Sequence, residues 1–347
     1  MTNDPNRPIV SSPAAKAGPP AAFQLSGRDS AQFSQQVRAG DFSGIRRFLA
    51  ETRASQDWED RKFMIEEIAP SIRTDALGAA CAAEPADAAL HLLLGAHYFE
   101  LSSQSRGARE ARLTTREQME SAGRYSEAAN QSLRQAIVLD PGDPTPYAFI
   151  IRSLVIFHEN SLQLKANYVA ADKIAPGFAG LQYVMVNARS KKWGGSHEES
   201  MQIARAAMRK GAPGGDMAGC LFLAHFFVWQ YAAAFDKDAP RADRYLRDRA
   251  VNEELNAAFD SWTSAAYRTR RSSIRYLHQA ALWYYKNGDK ARLRRALELT
   301  SNIPCETLWS QLGDSQKHYG AAMQAAFHSG SRTASKGGLF GWLRKPR

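Results

Sequence analysis

The sequence predicts an all-α fold, a helix–turn–helix repeat solenoid with a tail at each end, on three observations. Between residues 29 and 328, long stretches carry apolar residues at the helical period in a background of Ala, Leu, Glu, Arg and Gln. Valine and isoleucine are sparse, and no strict alternation runs long enough for a sheet. Proline recurs at hairpin spacing: Pro141, Pro176 and Pro213 each follow a helical run, 35 and then 37 residues apart. A repeat of about 34 residues whose second helix is closed by proline is the signature of stacked helical hairpins.

Each segment has its own signals. Residues 1–28 are rich in Pro, Ala, Ser and Gly without a period, and are expected as a disordered tail. The repeat body spans 29–267. Thr114-Thr-Arg-Glu117 and Ser196-His-Glu-Glu199 read as capping boxes, in which the hydroxyl accepts one orphan backbone N–H and the glutamate another. Between Gly123 and Pro141, the glycine is expected to permit an interhelical turn and the proline to stop a helix. Tyr125 and Leu133 would fill the gap, and Ala128 and Ala136 would allow close approach. Thr145-Pro146 reads as an N-cap followed by proline at the first helical position. Met217 to Phe235 is apolar enough to suggest a membrane span, but its flanks lack a lopsided Lys/Arg bias. It is expected as a buried central helix. Residues 268–328 are expected to continue the array as basic helices. Residues 329–347 are expected as a flexible basic tail ending in an apolar cluster that includes Phe340 and Trp342.

The segment from Gly123 to Pro141 resembles the second half of a tetratricopeptide (TPR) repeat with one residue inserted. A wider set of positions resembles an uncharacterised bacterial family, a domain of unknown function with a TPR-like fold. The set is Trp58-Glu-Asp-Arg61, Ser105-Arg106-Gly107, Asp140-Pro141-Gly-Asp-Pro-Thr-Pro146, Lys192-Trp193-Gly194-Gly195-Ser196 and Ala204-Arg205. The resemblance covers roughly residues 55–230. It implies an all-helical repeat fold and carries no activity, cofactor or partner with it.

Chemical motifs are few. The chain has no GxGxxG, GxxxxGK or HExxH pattern. Gly194-Gly195 reads as a tight turn that lets Ser196 cap a helix, rather than as an anion cradle. His91 and His97 are six residues apart, on different helix faces, and His225 among Phe and Trp reads as a hydrogen-bonded core histidine. Cys81, Cys220 and Cys305 are far apart and suit reduced thiols. No catalytic residue, metal or cofactor is expected. With no apolar run after the polar Met1–Val10 stretch, a cytoplasmic location is expected.

The formal net charge of +10 and pI near 9.6 suggest a nucleic-acid binder until the charge is located. The last 80 residues hold 15 Lys/Arg against four acids, a net of +11, and the other 267 residues sum to −1. Arg268, Arg271, Arg275, Arg292 and Arg295 are therefore the expected contact for an acidic protein, nucleic acid or anionic lipid. A groove lined by Tyr147, Tyr183, Trp283 and Tyr285 is expected to take a peptide, with Phe340 and Trp342 as a docking motif in the tail. The first functional expectation is a non-enzymatic protein-interaction module. A nucleic-acid binder using the C-terminal arginines is the alternative, and an enzyme comes third. Integral membrane insertion is not expected.

Overall fold

Capping carboxylates and hydroxyls start seven of the described helices. The structure, a computed structural model, describes residues 30–107, 114–157, 161–301 and 303–327. All regular structure among them is helical. Asp57, Asp87, Asp238, Asp248 and Asp289 each accept a backbone N–H of the helix that follows, as does Ser196. Such caps satisfy amides that have no partner within the helix.

The chain divides into two compact units, residues 28–267 and the part from Arg268 onward. The first unit contains α1 (Ser30–Arg38), α2 (Ser43–Ala54), α3 (Trp58–Ile68), α4 (Thr74–Ala83), α5 (Ala88–Arg106), α6 (Arg116–Leu139) and α7 (Thr145–Ile156). It continues with α8 (Ser161–Ile174), α9 (Ala179–Ala188), α10 (His197–Lys210), α11 (Gly219–Gln230), α12 (Ala239–Leu246) and α13 (Arg249–Trp262). Helices α5 and α6 pack along their lengths, α7 pairs with α8, and α9 pairs with α10. Pro85, Pro141, Pro176 and Pro213 stand just beyond the ends of α4, α6, α8 and α10. The first members of successive pairs are also neighbours: α5 touches α7, α7 touches α9 and α9 touches α11.

Three local expectations are corrected. The first capping box is shifted by one residue. Thr115 is the N-cap, its hydroxyl accepting from the Gln118 N–H and the Gln118 side chain returning to the Thr115 N–H. Gly123 makes no turn, because α6 runs unbroken through it. Helix propensity and the apolar face of Ala122, Ala129, Leu133 and Ala136 outweigh the cost of about 1 kcal/mol for one mid-helix glycine. The close approach of α5 and α6 instead falls at Gly95, where a Cβ would collide with Leu133. Thr145 does not cap α7; Asp143 does the equivalent work by accepting the Thr145 N–H at 2.8 Å.

Helix α3 is the central element of this unit. It touches α1 and α2 on one side and α5, α7 and α9 on the other. Its sequence, Trp58-Glu-Asp-Arg-Lys-Phe-Met-Ile-Glu-Glu-Ile68, looks amphipathic, yet Arg61 and Lys62 are buried along with Met64, Ile65 and Ile68. Its buried ionisable side chains all have polar partners. Arg61 Nη2 and Nε donate to Asp143 at 2.6 and 2.8 Å, and Nη1 donates to the Leu49 carbonyl at 2.5 Å. Lys62 and Arg152 both donate to Glu66, and the Arg152 guanidinium lies 4.4 Å from the centre of the Phe99 ring. Glu59 accepts the Gly180 N–H at 3.1 Å, which makes it the long-range cap of α9. Burial, then the Asp216 carboxylate, push Glu59 up to about 8.

One stretch, Asp216–Phe235, is long and apolar enough to cross a membrane by composition; 72% of it is buried within the fold. That agrees with a core helix. The second unit contains α14 (Ser273–Asn287), α15 (Lys290–Leu299), α16 (Glu306–Trp309) and α17 (Ser315–Phe327). Its core includes Trp283 and Tyr284, and Trp309 and Tyr319 pack against the buried His278.

Burial sets what the two arginine–aspartate ties around α3 are worth. The side chains of Arg61 and Asp143 are 4% and 3% exposed, whereas those of Arg53 and Asp140 are 35% and 26% exposed. Removing one partner of a buried pair strands the other charge. Arg61→Ala should therefore cost about 3–5 kcal/mol of unfolding free energy, against about 1 kcal/mol for Arg53→Ala. Urea unfolding of both variants measures the difference, and equal losses would contradict this ranking.

Candidate functional site

The C-terminal arginines do not form an open field of unpaired cations. Arg268 and Arg295 are exposed, and Arg271, Arg275 and Arg292 are half-buried. Arg292 pairs with Asp289 at 3.1 Å and its neighbour Arg294 with Glu298 at 2.9 Å. Arg268, Arg271 and Arg275 also have interaction partners.

Of the expected groove residues, Trp283 is a packing residue. Trp283 is 1% exposed and belongs to the core of the second unit, so it cannot line a groove. In the run Trp283-Tyr284-Tyr285 the first two rings point inward. Tyr285 is half-buried against Trp309, with ring centres 5.8 Å apart. Tyr147 and Tyr183 are half-buried in the first unit. Helix α3 packs against both α7 and α9. Phe340 and Trp342 lie outside the described residues.

The positions that carry the family resemblance are joined largely through arginine. Arg53 makes a two-pronged bond to Asp140, at 2.7 and 2.9 Å, just before Pro141, and holds that carboxyl below its usual range. Arg106 ends α5 beside Gly107, which has φ of 72°, and its guanidinium lies 5.5 Å from the centre of the Trp193 ring. Arg205 grips Glu254 at 2.7 and 2.9 Å. Glu254 also accepts from His225 Nε2, while His225 Nδ1 accepts from the Tyr245 hydroxyl at 2.7 Å. Arg205, then His225, hold the Glu254 carboxyl down at about 2. His225 is thus a satisfied core histidine, in agreement with the sequence reading. Gly194 has φ of 88°, and a Cβ at Gly195 would strike the Arg189 carbonyl. This tight loop leaves Ser196 to cap α10, its hydroxyl accepting from the Glu199 N–H at 3.0 Å.

The same loop sets two lysines against rings of α11 and the turn that follows it, a feature that residue-by-residue reading missed. Lys191 Nζ lies 4.3 Å from the centre of the Tyr231 ring, and Lys192 Nζ lies 4.2 Å from that of Phe227. Neither has a salt-bridge partner among the described residues, and burial brings Lys192 down to about 8. After Gln230 the helix widens into a single π-helical turn, Tyr231–Phe235. The turn stacks Tyr231 on Phe235 at 4.9 Å and 9° and leaves Phe235 49% exposed. His197 meets the edge of Tyr231 at 5.3 Å, and its Nδ1 is buried without a hydrogen-bond partner. A π-turn inside an α-helix is a frequent mark of functional positions. The sequence signal was Lys-Lys-Trp-Gly-Gly together with two aromatics four residues apart.

Cys81 and Cys220 are buried, and burial pushes both thiols upward, away from reactivity; Cys305 is half-buried. Among the described residues no three His, Cys, Asp or Glu side chains are grouped to hold a metal. No protein-family model matches the chain, and no curated protein aligns with it significantly.

The second unit has a titration signature of its own. His278 Nε2 donates to the Ile303 carbonyl at 2.6 Å, and Nδ1 accepts from the Trp309 indole at 3.0 Å. Burial brings this imidazole down to about 4 from an ordinary 6.5. The unfolded chain takes up the proton first as pH falls. The stability contribution is therefore complete above pH 6.5 and is lost as pH falls toward 4. Thermal melts from pH 7 to 4 should slope downward in the wild type and less so in His278→Gln. Parallel profiles would contradict the assignment.

Proposed function

We propose that this protein is a protein-interaction module, a TPR-like helical-repeat scaffold, whose docking surface is the bay formed by Lys191, Lys192, Tyr231 and Phe235. The repeat reading is supported by helix pairs closed by prolines at 141, 176 and 213 and by the side-by-side succession of α5, α7, α9 and α11. The docking reading is carried by one observation, the half-exposed Phe235 stacked on Tyr231 beside two lysines without carboxylate partners. Exposed aromatics on a rigid support, flanked by cations, have the composition of an interface hot spot. The partner this chemistry fits is a protein segment offering a carboxylate to Lys191 and an apolar or aromatic side chain to Phe235. A cytoplasmic setting agrees with three cysteines that form no disulfide.

Affinity capture tests this reading if the variants are chosen by place. A partner held by the wild type should be lost from Phe235→Ala, by about 2 kcal/mol or thirtyfold in Kd, and from Lys191→Glu. It should be retained by Arg295→Glu. Capture that survives the first two variants, or fails only in the third, would move the interface to the C-terminal arginines.

A further inference from the structure

A cleft of about 450 Å³ opens where the 3-10 turn Ala69–Ser71 leads into α4, beside the C-terminal half of α5. Its floor is the buried His97, whose tautomer is fixed by its partners. Nδ1 can only donate to the Ala69 carbonyl, at 2.9 Å, so the ring presents Nε2 as an acceptor. The Thr74 hydroxyl donates to that nitrogen at 2.8 Å. Thr74 itself is exposed at the cleft mouth, in the first turn of α4. A hydroxyl bonded to an imidazole, with the far side of the imidazole held by a third group, is the arrangement of an activated nucleophile.

We propose that Thr74 and His97 are a nucleophile–base pair that carries out acyl transfer on a small, uncharged ester bound in this cleft. The walls define the substrate. Pro70, Ile72 and Leu101 offer an apolar surface for an acyl or alkoxy group. Asp75 and Glu100 against the single Arg73 disfavour an anionic compound. Arg73 is held by Asp75 in a pair that is 57% and 69% exposed, so its guanidinium can turn toward a developing oxyanion at small cost.

The step balances without a further reactant. Thr74 Oγ bonds to the acyl carbon as its proton passes to His97 Nε2. The ester C–O bond breaks, and the departing alkoxide takes that proton. Water, deprotonated by His97, then cleaves the Thr74 ester, releasing the carboxylic acid and restoring the hydroxyl. This activity is separate from the interaction reading, lies in a different part of the unit, and departs from the expectation of no catalytic residue. With the pair 23 positions apart, the sequence shows no local motif.

The test is covalent labelling with a small alkyl fluorophosphonate, which bonds to an activated hydroxyl with loss of fluoride, followed by peptide mass mapping. One adduct on Thr74 is expected in the wild type and in Thr74→Ser, and none in Thr74→Val. His97→Gln should slow the reaction about a hundredfold. The groups facing His97 are Thr74, Arg73 and Asp75 from the start of α4 and Glu100 from α5. Burial outweighs them and lowers this histidine below the ordinary 6.5. The labelling rate should therefore rise with pH through a midpoint below that value, which a merely structural Thr74–His97 bond would not produce. Absence of a Thr74 adduct in folded wild-type protein overturns the proposal, as does a rate unchanged in His97→Gln. If His97→Gln fails to fold, Thr74→Ser against Thr74→Val decides, because those changes leave the histidine in place.

Discussion

The buried contact between Arg61 and Asp143 is the constraint on which the first unit depends. One carboxylate serves two elements: its Oδ1 accepts the Thr145 N–H that begins α7, and its Oδ2 accepts two bonds from Arg61 on α3. The third arm of the same guanidinium reaches the Leu49 carbonyl on α2. Three helices are thereby fixed at one point. Charges this deep are tolerable only when each has a partner in good geometry. Glu66, held by Lys62 and Arg152, extends the rule along α3, and Glu59, raised by burial, accepts the N–H at the start of α9. A one-residue slip of α3 would strand several charges at once, so the polar residues set its register where a purely apolar helix would leave it loose.

Much of the fold was legible because capping, proline stops and apolar periodicity are local. Ser196 stands where a helix must begin, and Pro141, Pro176 and Pro213 where one must end. What was not legible depends on partners distant in the chain. The charges of α3 suggest a solvated face until Asp143, 82 residues away, accounts for Arg61. Gly123 looks like a turn because glycine usually permits one, but the buried alanine face on either side keeps the helix going. Trp283 looked available for binding because consecutive aromatics cannot all point inward; Tyr285 is the one left at the edge.

The site was partly visible for the same reason. The tight Trp193-Gly194-Gly195 turn was readable, since positive φ and close backbone contact need glycine. Its effect on Lys191 and Lys192 was not, because the rings they cover belong to residues 227 and 231 on another helix. The strong C-terminal basic bias was correct as a count and less informative as a map, since Asp289 and Glu298 answer two of its arginines.

These points converge on α3 as an internal strut packed against both α7 and α9. Amide hydrogen exchange of residues 58–68 tests that claim most directly. Slow exchange through this segment, at the level of the most protected residues of α7 and α9, is the predicted result. Exchange as fast as that of the exposed stretches of α8 would contradict it.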